Sequence, residues 1–297
     1  MTNPGFRHAA LACLLRCYPL LSGGGTIANH RWLRALAGSP KTTCAWARSP
    51  GGPLLAPLDD WVGRAVYFAG DLDRKVSHLC RRLLRPGDIG LDIGANIGLV
   101  TLLMARLVGP NGHVHLVEPN PTNLDFLRAS LERNGFTNVT THAVALGDQP
   151  GELELAIPAG NRGAASLVAG RITNAISTFP VPVVRLDDLP GLSGRPIRLM
   201  KIDVEGFEAQ VLAGAGKLFA TNPPDAVLFE SNDGSSPATG AVFRALINHG
   251  YKIFAVPRRL FRLAVIPIEP NSTLTPGAND FIAVQPGRTD FTATTPL

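Results

Sequence analysis

The sequence predicts an α/β fold built on a doubly wound, mostly parallel sheet with an antiparallel closing strand, and three observations carry that prediction. Short apolar runs alternate with segments of helical periodicity from residue 86 onward. The run Ile89-Gly90-Leu91-Asp92-Ile93-Gly94-Ala95-Asn96-Ile97-Gly98 climbs into an acid, breaks at a glycine-punctuated turn, then opens an apolar helix through Met104 and Leu107. Charge also divides the chain. Residues 1–85 hold 12 Lys+Arg against 4 Asp+Glu, a net of +8, whereas the remainder holds 16 against 19, a net of −3. The expected organisation is a basic, partly helical extension over residues 1–85, acting as lid, docking element or dimer contact, followed by the sheet domain over 86–297.

Within the extension, helix-like pieces are separated by loop signals at Ser22-Gly23-Gly24-Gly25, Gly38-Ser39-Pro40 and Ser49-Pro50-Gly51-Gly52-Pro53. The apolar segment 6–21 is interrupted by Arg16 and ended by Pro19. It falls short of the about 20 residues needed to cross a bilayer, so it reads as a short helix docked on the body or on a membrane surface. Arg85-Pro86-Gly87-Asp88 marks the boundary. Strand one covers 89–93, and after Gly109-Pro110-Asn111-Gly112 strand two covers 113–118. A helix with Leu124, Leu127 and Leu131 on one face closes at Asn134-Gly135, a C-cap pair. Strand three is expected over 139–145, and short alternating strands over 152–157 and 181–184. Strand four covers 198–204 and strand five 226–230; a helix over 240–249 leads to closing strands 251–256 and 280–284, joined through Arg258-Arg259.

A chain of 297 residues with 45% apolar and 17% charged residues can bury a full core and fits a globular enzyme. All four cysteines (Cys13, Cys17, Cys44, Cys80) precede the glycine loop without Cys-x-x-Cys spacing, so they read as small apolar residues in a reducing compartment. That places the protein in the cytoplasm, with peripheral membrane contact available through the basic segment. Asn138-Val139-Thr140 and Asn271-Ser272-Thr273 match glycosylation sequons but carry no weight without a secretory signal.

The chemistry-bearing residues fall at the carboxyl ends of the strands, where such sheets bind ligands. The first loop reads Asp-x-Gly-x-Asn-x-Gly, with Asn96 in place of the second glycine of a dinucleotide site and Asp92 at the strand end. A phosphate is repelled there, whereas a cation bearing hydroxyls and an amine is welcome; S-adenosylmethionine fits. Asp92, Gly94, Asn96 and Gly98 are the candidate cofactor residues, with a capped β–α turn as the competing reading. Glu118 lies 20 positions after Gly98 at the end of strand two, placed to bind both ribose hydroxyls. Ala145-Leu146-Gly147-Asp148 ends strand three, so Ala145 and Asp148 are candidates at the adenine, or form a plain turn. Lys201-Ile202-Asp203-Val204-Glu205-Gly206-Phe207-Glu208 ends strand four. Asp203 and Glu205 lie where an acceptor hydroxyl meets the methyl group, as general base or as holders of a divalent metal; Glu208 complements a helix dipole. Glu230, ending strand five in Glu230-Ser231-Asn232-Asp233, can share base or metal duty with Asp203 across the cleft. Asn222-Pro223-Pro224-Asp225 lacks the aromatic and the position of a base-amino methylation motif and reads as a loop.

These residues resemble the FkbM-family methyltransferases. The matching pieces are Leu91 to Gly98, Val117-Glu118-Pro119-Asn120-Pro121, Ala143-Val144-Ala145-Leu146-Gly147-Asp148, Ala165-Ser166-Leu167, Val184-Arg185-Leu186-Asp187-Asp188-Leu189, the Lys201–Glu208 block and His249-Gly250-Tyr251. They cover about residues 86–285 in the family's order. The resemblance implies a Rossmann-like methyltransferase sheet and S-adenosylmethionine-dependent O-methylation of a hydroxyl on a sugar, glycan or natural product. It implies a cofactor role for Asp92, Gly94, Asn96, Gly98, Glu118 and Asn120, and a reacting-site role for Asp203 and Glu205. Phe207 stands where the family often has His or a small residue, which removes a histidine base from that position.

The expected partner is a small-molecule or glycan hydroxyl acceptor, with a lipid-linked substrate or anionic membrane met through the N-terminal segment and a homodimer as a further expectation. An NAD-type oxidoreductase and a non-catalytic module binding a glycan or lipid carrier are the alternatives on the same sheet. A nucleic-acid methyltransferase ranks below both.

Overall fold

A computed structural model of the chain describes residues 4–17, 21–39, 43–192, 194–231, 240–269 and 278–287. The expected features at Pro19, Pro40, Asn232, Asp233 and the 271–273 sequon lie outside the described residues. In chain order the elements begin with α1 (Phe6–Arg16), α2 (Gly24–Asn29), α3 (Arg31–Ala37), β1 (Cys44–Ser49), β2 (Gly52–Pro57), α4 (Trp61–Ala69) and α5 (Arg74–Leu83). The sheet domain opens with β3 (Ile89–Ile93), α6 (Leu99–Val108), β4 (His113–Val117), α7 (Pro121–Asn134) and β5 (Val139–His142). Next come β6 (Ala145–Leu146), β7 (Gly151–Pro158), β8 (Ala175–Val184), β9 (Ile197–Ile202), α8 (Glu208–Ala213) and α9 (Gly216–Thr221). The chain ends its described course with β10 (Ala226–Glu230), α10 (Ala241–Asn248), β11 (Lys252–Val256), β12 (Ile266–Pro267) and β13 (Asp280–Val284).

The main sheet has eight strands in the order β12-β11-β13-β10-β9-β3-β4-β5. Strands β10, β9, β3, β4 and β5 run parallel, and β13 enters antiparallel between β10 and β11. This is the doubly wound sheet expected from the sequence. All five residues of β3 are buried, as a central parallel strand covered on both faces must be. The chain leaves β3 toward β4 on one side and returns to β9 on the other, so the topological switch point lies between β3 and β9. Local chemistry sets the helix starts. Asp60 caps α4 through the amides of Val62 and Gly63, Asn120 caps α7 ahead of Pro121, and Gly135 at φ 67° closes α7.

Three expectations are corrected. Residues 44–57, expected as helix-like pieces and loop, form an antiparallel hairpin, β1 on β2. Its turn at Pro50-Gly51 presses on α6 so closely that a Cβ on Gly51 would sit 2.3 Å from the Leu102 carbonyl carbon. That packing, invisible in a short sequence window, selects the strand. Strand three, expected over 139–145, stops at His142. Ala145-Leu146 instead joins a separate three-stranded sheet, β6-β8-β7. The outer part of that sheet is longer than the expected 181–184: β8 spans Ala175–Val184 despite Pro180 and Pro182. The short β6 pairs only with residues 183–184, so the earlier part of β8 is an edge where proline is tolerated.

Residues of the N-terminal segment share a core with the sheet domain. Ala28, Leu33, Leu54, Ala65 and Val66 pack in one cluster with Ile97, Leu102, Leu124 and Leu127. The α5 residues Leu79, Cys80 and Leu83 pack with Met104, Leu199 and Ile282. The Asn138 side chain, within a sequon, is buried and donates to the carbonyls of Ala105 and Gly109. Among the described residues no helix is long and apolar enough to cross a membrane.

The two halves are also joined by an ion pair. Lys75 of α5 is 1% exposed; its Nζ lies 2.5 Å from Asp280 Oδ2 of β13 and 3.1 Å from Asp73 Oδ2. Removing the cation leaves two acids facing each other in a poorly solvated place. Lys75→Met is expected to lower the unfolding free energy by about 2–3 kcal/mol, the low end for buried pairs because the carboxylates keep 17% and 27% exposure. Urea titration measures it; an unchanged midpoint would show that the pair contributes nothing.

Candidate active site

A cavity of about 360 Å³ opens at the carboxyl ends of β3, β4, β9 and β10, in the range of small-ligand sites. Its floor is the first glycine loop. Gly94, at φ 77°, lets the chain turn beneath the next crossover: a Cβ there would lie 1.9 Å from the Asp203 carbonyl oxygen. Asn96 follows in the left-handed region at φ 52°, its side-chain Oδ1 accepting from the Ile97 amide at 2.7 Å. Gly98, at φ 91°, caps α6 and faces Leu127, which a Cβ would approach to 2.9 Å.

Glu118 closes this side. Its Oε2 accepts from the Asn96 amide at 2.7 Å, and its Oε1 accepts from the Asn120 amide at 2.9 Å and Asn123 Nδ2 at 3.3 Å. Burial pushes its carboxyl up to about 6, against those hydrogen bonds. Beside it, Asn123 Oδ1 is buried and has no hydrogen-bond partner among the described residues, yet Asn123 lines the cavity. An orphaned acceptor next to a carboxylate suits a ligand that brings hydroxyl or amino donors.

The second wall comes from the turn after β9. Lys201, on β9, is paired in register with Asp92 of β3. Its Nζ lies 3.5 Å from Asp92 Oδ1 and 3.2 Å from Asp203 Oδ2, and donates to the Gly94 carbonyl at 3.3 Å. Burial works against its charge, but Asp203 and Asp92 hold the ammonium above its ordinary value. Glu205 adopts φ 53° with Gly206 following at φ 98°. Its backbone carbonyl accepts from Ser166 Oγ at 2.8 Å, and its Oε2 sits 3.6 Å from Arg171 Nη2. Burial first, then the Asp203 charge, raise the Glu205 carboxyl to about 7, with Arg171 opposing. Glu208 accepts from the amides of Val204 and Gly206, so it binds the turn ahead of α8.

The structure brings Gly94, Asn96, Glu118, Ala145, Asp203, Glu205 and Glu230 to one cavity. Carboxylate oxygens of Asp203, Glu205 and Glu230 lie within 4.8 Å of one another, a separation that a divalent cation can bridge. Four other expected residues stand elsewhere. Asp92 is fully buried beneath the loop, accepting from Thr101 Oγ1 at 2.6 Å, and does not reach the cavity. Gly98 packs on α7, Asn120 is buried as the α7 cap, and Asp148 is exposed outside the cavity.

Sequence reasoning gave Lys201 no part. Its signal was a cation set between Met200 and Ile202 in a largely apolar strand, at the position that meets Asp92 in the neighbouring strand. The sequence offered a lid as one role for the N-terminal segment but named none of the residues with which it walls the same cavity, Ser22, Trp61, Asp71, Asp73 and Ser77. The loop after β7 is held over it, the Trp61 amide donating to Gly160 O at 2.8 Å and the Arg162 amide to Asp60 Oδ2 at 2.6 Å.

Comparison with known proteins bears on this arrangement. The family described as "Methyltransferase FkbM domain" matches residues 92–253. The chain is 30% identical over 242 residues to the 31-O-demethyl-FK506 methyltransferase FkbM of Streptomyces tacrolimicus, covering 72% of this chain and 91% of that protein. It is 30% identical over 148 residues to a protein-L-isoaspartate O-methyltransferase of Aeropyrum pernix, covering 49% of this chain and 55% of that protein. Among solved structures, a methyltransferase FkbM from Methylobacillus flagellatus KT aligns with 14% identity and a TM-score of 0.41, over 93% of this chain and 59% of that one.

The Glu205 environment gives a direct test. Its carboxyl is expected to titrate near pH 7, followed by 13C NMR of glutamate-labelled protein. Asp203→Asn, which removes a neighbouring negative charge, lowers the midpoint, and Arg171→Gln raises it. A midpoint in the ordinary glutamate range, unmoved by either change, would refute the described electrostatics.

Proposed function

The chain belongs to the FkbM methyltransferase family, and on that premise we propose that it transfers a methyl group from S-adenosylmethionine to a hydroxyl of a sugar, glycan or natural-product acceptor. The observation that carries this reading is the single cavity shared by the Gly94–Asn96 turn, Glu118 and the three carboxylates Asp203, Glu205 and Glu230. The names of the Streptomyces relative, with its 31-O-demethyl substrate, and of the isoaspartate O-methyltransferase support oxygen as the acceptor atom. The four cysteines are free thiols, which supports a reducing, cytoplasmic setting.

S-adenosylmethionine, when bound, supplies an electrophilic methyl group on a sulfonium. The residues present suit it. Glu118 and the orphaned Asn123 Oδ1 offer acceptors for hydroxyl and amino groups, and Gly94 and Asn96 leave backbone facing the ligand. Seven acids against three cations on the cavity wall favour a cationic cofactor over a phosphate-bearing one. Ala145, Leu146 and Leu155 supply an apolar side for a flat ring.

Glu205 is the base in this reading. A carboxylate that titrates near 7 can take a hydroxyl proton at neutral pH far better than one near 4. Asp203, held by Lys201, keeps that pKa high and orients the acceptor oxygen. Much of the rate comes from alignment, since positioning alone can supply roughly 7–11 kcal/mol. Glu230 faces the same space, and together with Asp203 it would hold a divalent ion that acidifies the hydroxyl, leaving Glu205 as the base.

The decisive experiment is incubation of the protein with methyl-labelled S-adenosylmethionine and extract of the source cells, followed by identification of the labelled product. Label on a hydroxyl-derived ether is expected; label on nitrogen, or binding of NAD with none of S-adenosylhomocysteine, would overturn the reading. With an acceptor in hand, kcat/KM should rise tenfold per pH unit below about pH 7 and level off above it, because the protonated Glu205 present at low pH cannot accept the proton. Glu205→Gln should abolish that limb and lower kcat by about 10²–10⁴, leaving S-adenosylhomocysteine affinity within about threefold. Equal losses in turnover and cofactor affinity would instead make Glu205 a cofactor ligand.

A further inference from the structure

Two buried polar atoms on the N-terminal wall are not used by the chemistry above. Ser22 Oγ and Asp71 Oδ1 have no hydrogen-bond partner among the described residues, although Ser22 is 6% and Asp71 5% exposed and both line the main cavity. The other Asp71 oxygen accepts from Ser77 Oγ at 2.6 Å, which fixes the carboxyl in place. Buried polar atoms are nearly always satisfied, so a pair left open on a cavity wall marks where a ligand brings hydrogen-bonding groups. Strand register and an ion-pair relay connect Asp71 to the reacting carboxylates, and Ser22 lines the same cavity. Glu230 is directly opposite Asp280 in the β10–β13 pairing, Lys75 bridges Asp280 to Asp73, and Asp71 is two residues before Asp73.

Asp71 and its neighbour Leu72 also line a second cavity of about 390 Å³. Its walls are mostly hydrocarbon, from Leu15, Ile27, Leu72, Leu260 and Phe261. The loop carrying the last two is pinned where the Leu21 amide donates to the Leu260 carbonyl at 2.8 Å. Leu260 is 54% and Phe261 68% exposed, so the rim presents large apolar side chains to water. Asp71 therefore stands at the junction of an acid-lined chamber and an apolar one, with Ser22 on the acid-lined side.

We propose that Ser22 and Asp71 read the hydroxyls of an amphipathic acceptor, a sugar-like head carrying a hydrocarbon arm that occupies the adjoining apolar cavity. The inference rests on the methyl-transfer reading for the fate of the head group and gives the N-terminal segment the task of selecting the acceptor. A small hydrophilic sugar would satisfy the polar pair but leave the apolar chamber wet. A purely apolar ligand would leave Ser22 and Asp71 unpaired.

The test is calorimetric titration of the full chain, in the presence of S-adenosylhomocysteine, with methyl, hexyl, octyl and decyl β-glucosides below their micellar concentrations. Affinity is expected to climb with chain length by up to about fourfold per methylene until the chamber is filled. Leu260→Asp and Phe261→Asp, at exposed positions, should flatten the series. Ser22→Ala and Asp71→Asn should weaken every member about tenfold without changing its slope. A flat series, no binding of any glucoside, or a slope that survives both rim substitutions would overturn the proposal. Failure to bind S-adenosylhomocysteine alone, with the chain-length series intact, would sink the methyl-transfer reading and leave the amphiphile site standing.

Discussion

The buried ammonium of Lys201 is the interaction on which the site depends. It sits between two parallel strands at the switch point and is shared by Asp92 beneath the glycine loop, Asp203 at the cavity wall and the Gly94 carbonyl. A buried pair of this kind is weak evidence for net stability, since desolvation offsets most of the Coulomb attraction. Its value is positional. The contact ties the turn after β3 to the turn after β9, and the Gly94 position leaves no room for any other spacing. Asp92 therefore braces the loop through Lys201 without reaching the cavity itself.

The cavity is electrostatically opposite to the chain as a whole. The protein carries a net +5, yet its lining sets Asp71, Asp73, Glu118, Asp203, Glu205, Glu230 and Asp280 against Arg162, Lys201 and Arg258. Burial raises several of them, Asp73 and Glu118 to about 6 and Glu205 to about 7, and a neighbouring carboxylate adds to it at Asp73 (from Asp280) and at Glu205 (from Asp203). Such a chamber discriminates against phosphates and favours a cation. Among the described residues of the first 85, the polar side chains that line the cavity are Ser22, Thr26, Asp71, Asp73 and Ser77, with no cation among them.

Much of the sheet was legible in the sequence because its strands are short apolar runs separated by strong turn signals. Ile89–Ile93, Ala226–Glu230 and Asp280–Val284 begin and end where the pattern places them. Elements set by distant packing were not. The β1–β2 hairpin depends on Gly51 lying against α6, and the departure of Ala145-Leu146 into a second sheet depends on β8, some forty residues away. At the site, acids at strand ends were legible by position alone, which brought Glu118, Asp203, Glu205 and Glu230 to the list. Position could not tell a side chain facing the cavity from one turned beneath the loop. That is why Asp92 and Asn120, equally acid- or amide-rich strand ends, prove to be buried braces. Asp71 and Ser22 sit on a wall whose place beside the sheet no local pattern encodes.

Strain shows how firmly the site is set before any ligand arrives. Among the described residues, Asn96 and Glu205 are the non-glycine positions with positive φ, and each follows one of the two strands flanking the switch point. Such a conformation costs of order 1–3 kcal/mol and persists only where the surroundings fix it. For Asn96 the restraint is the Glu118 carboxylate gripping its amide, a contact from the next strand over. For Glu205 it is Ser166, from the loop of the small sheet, holding its carbonyl. Neither turn is held by its own strand. Each is clamped by an element that also lines the cavity, so donors and acceptors are oriented by the fold and need little reorganisation during reaction.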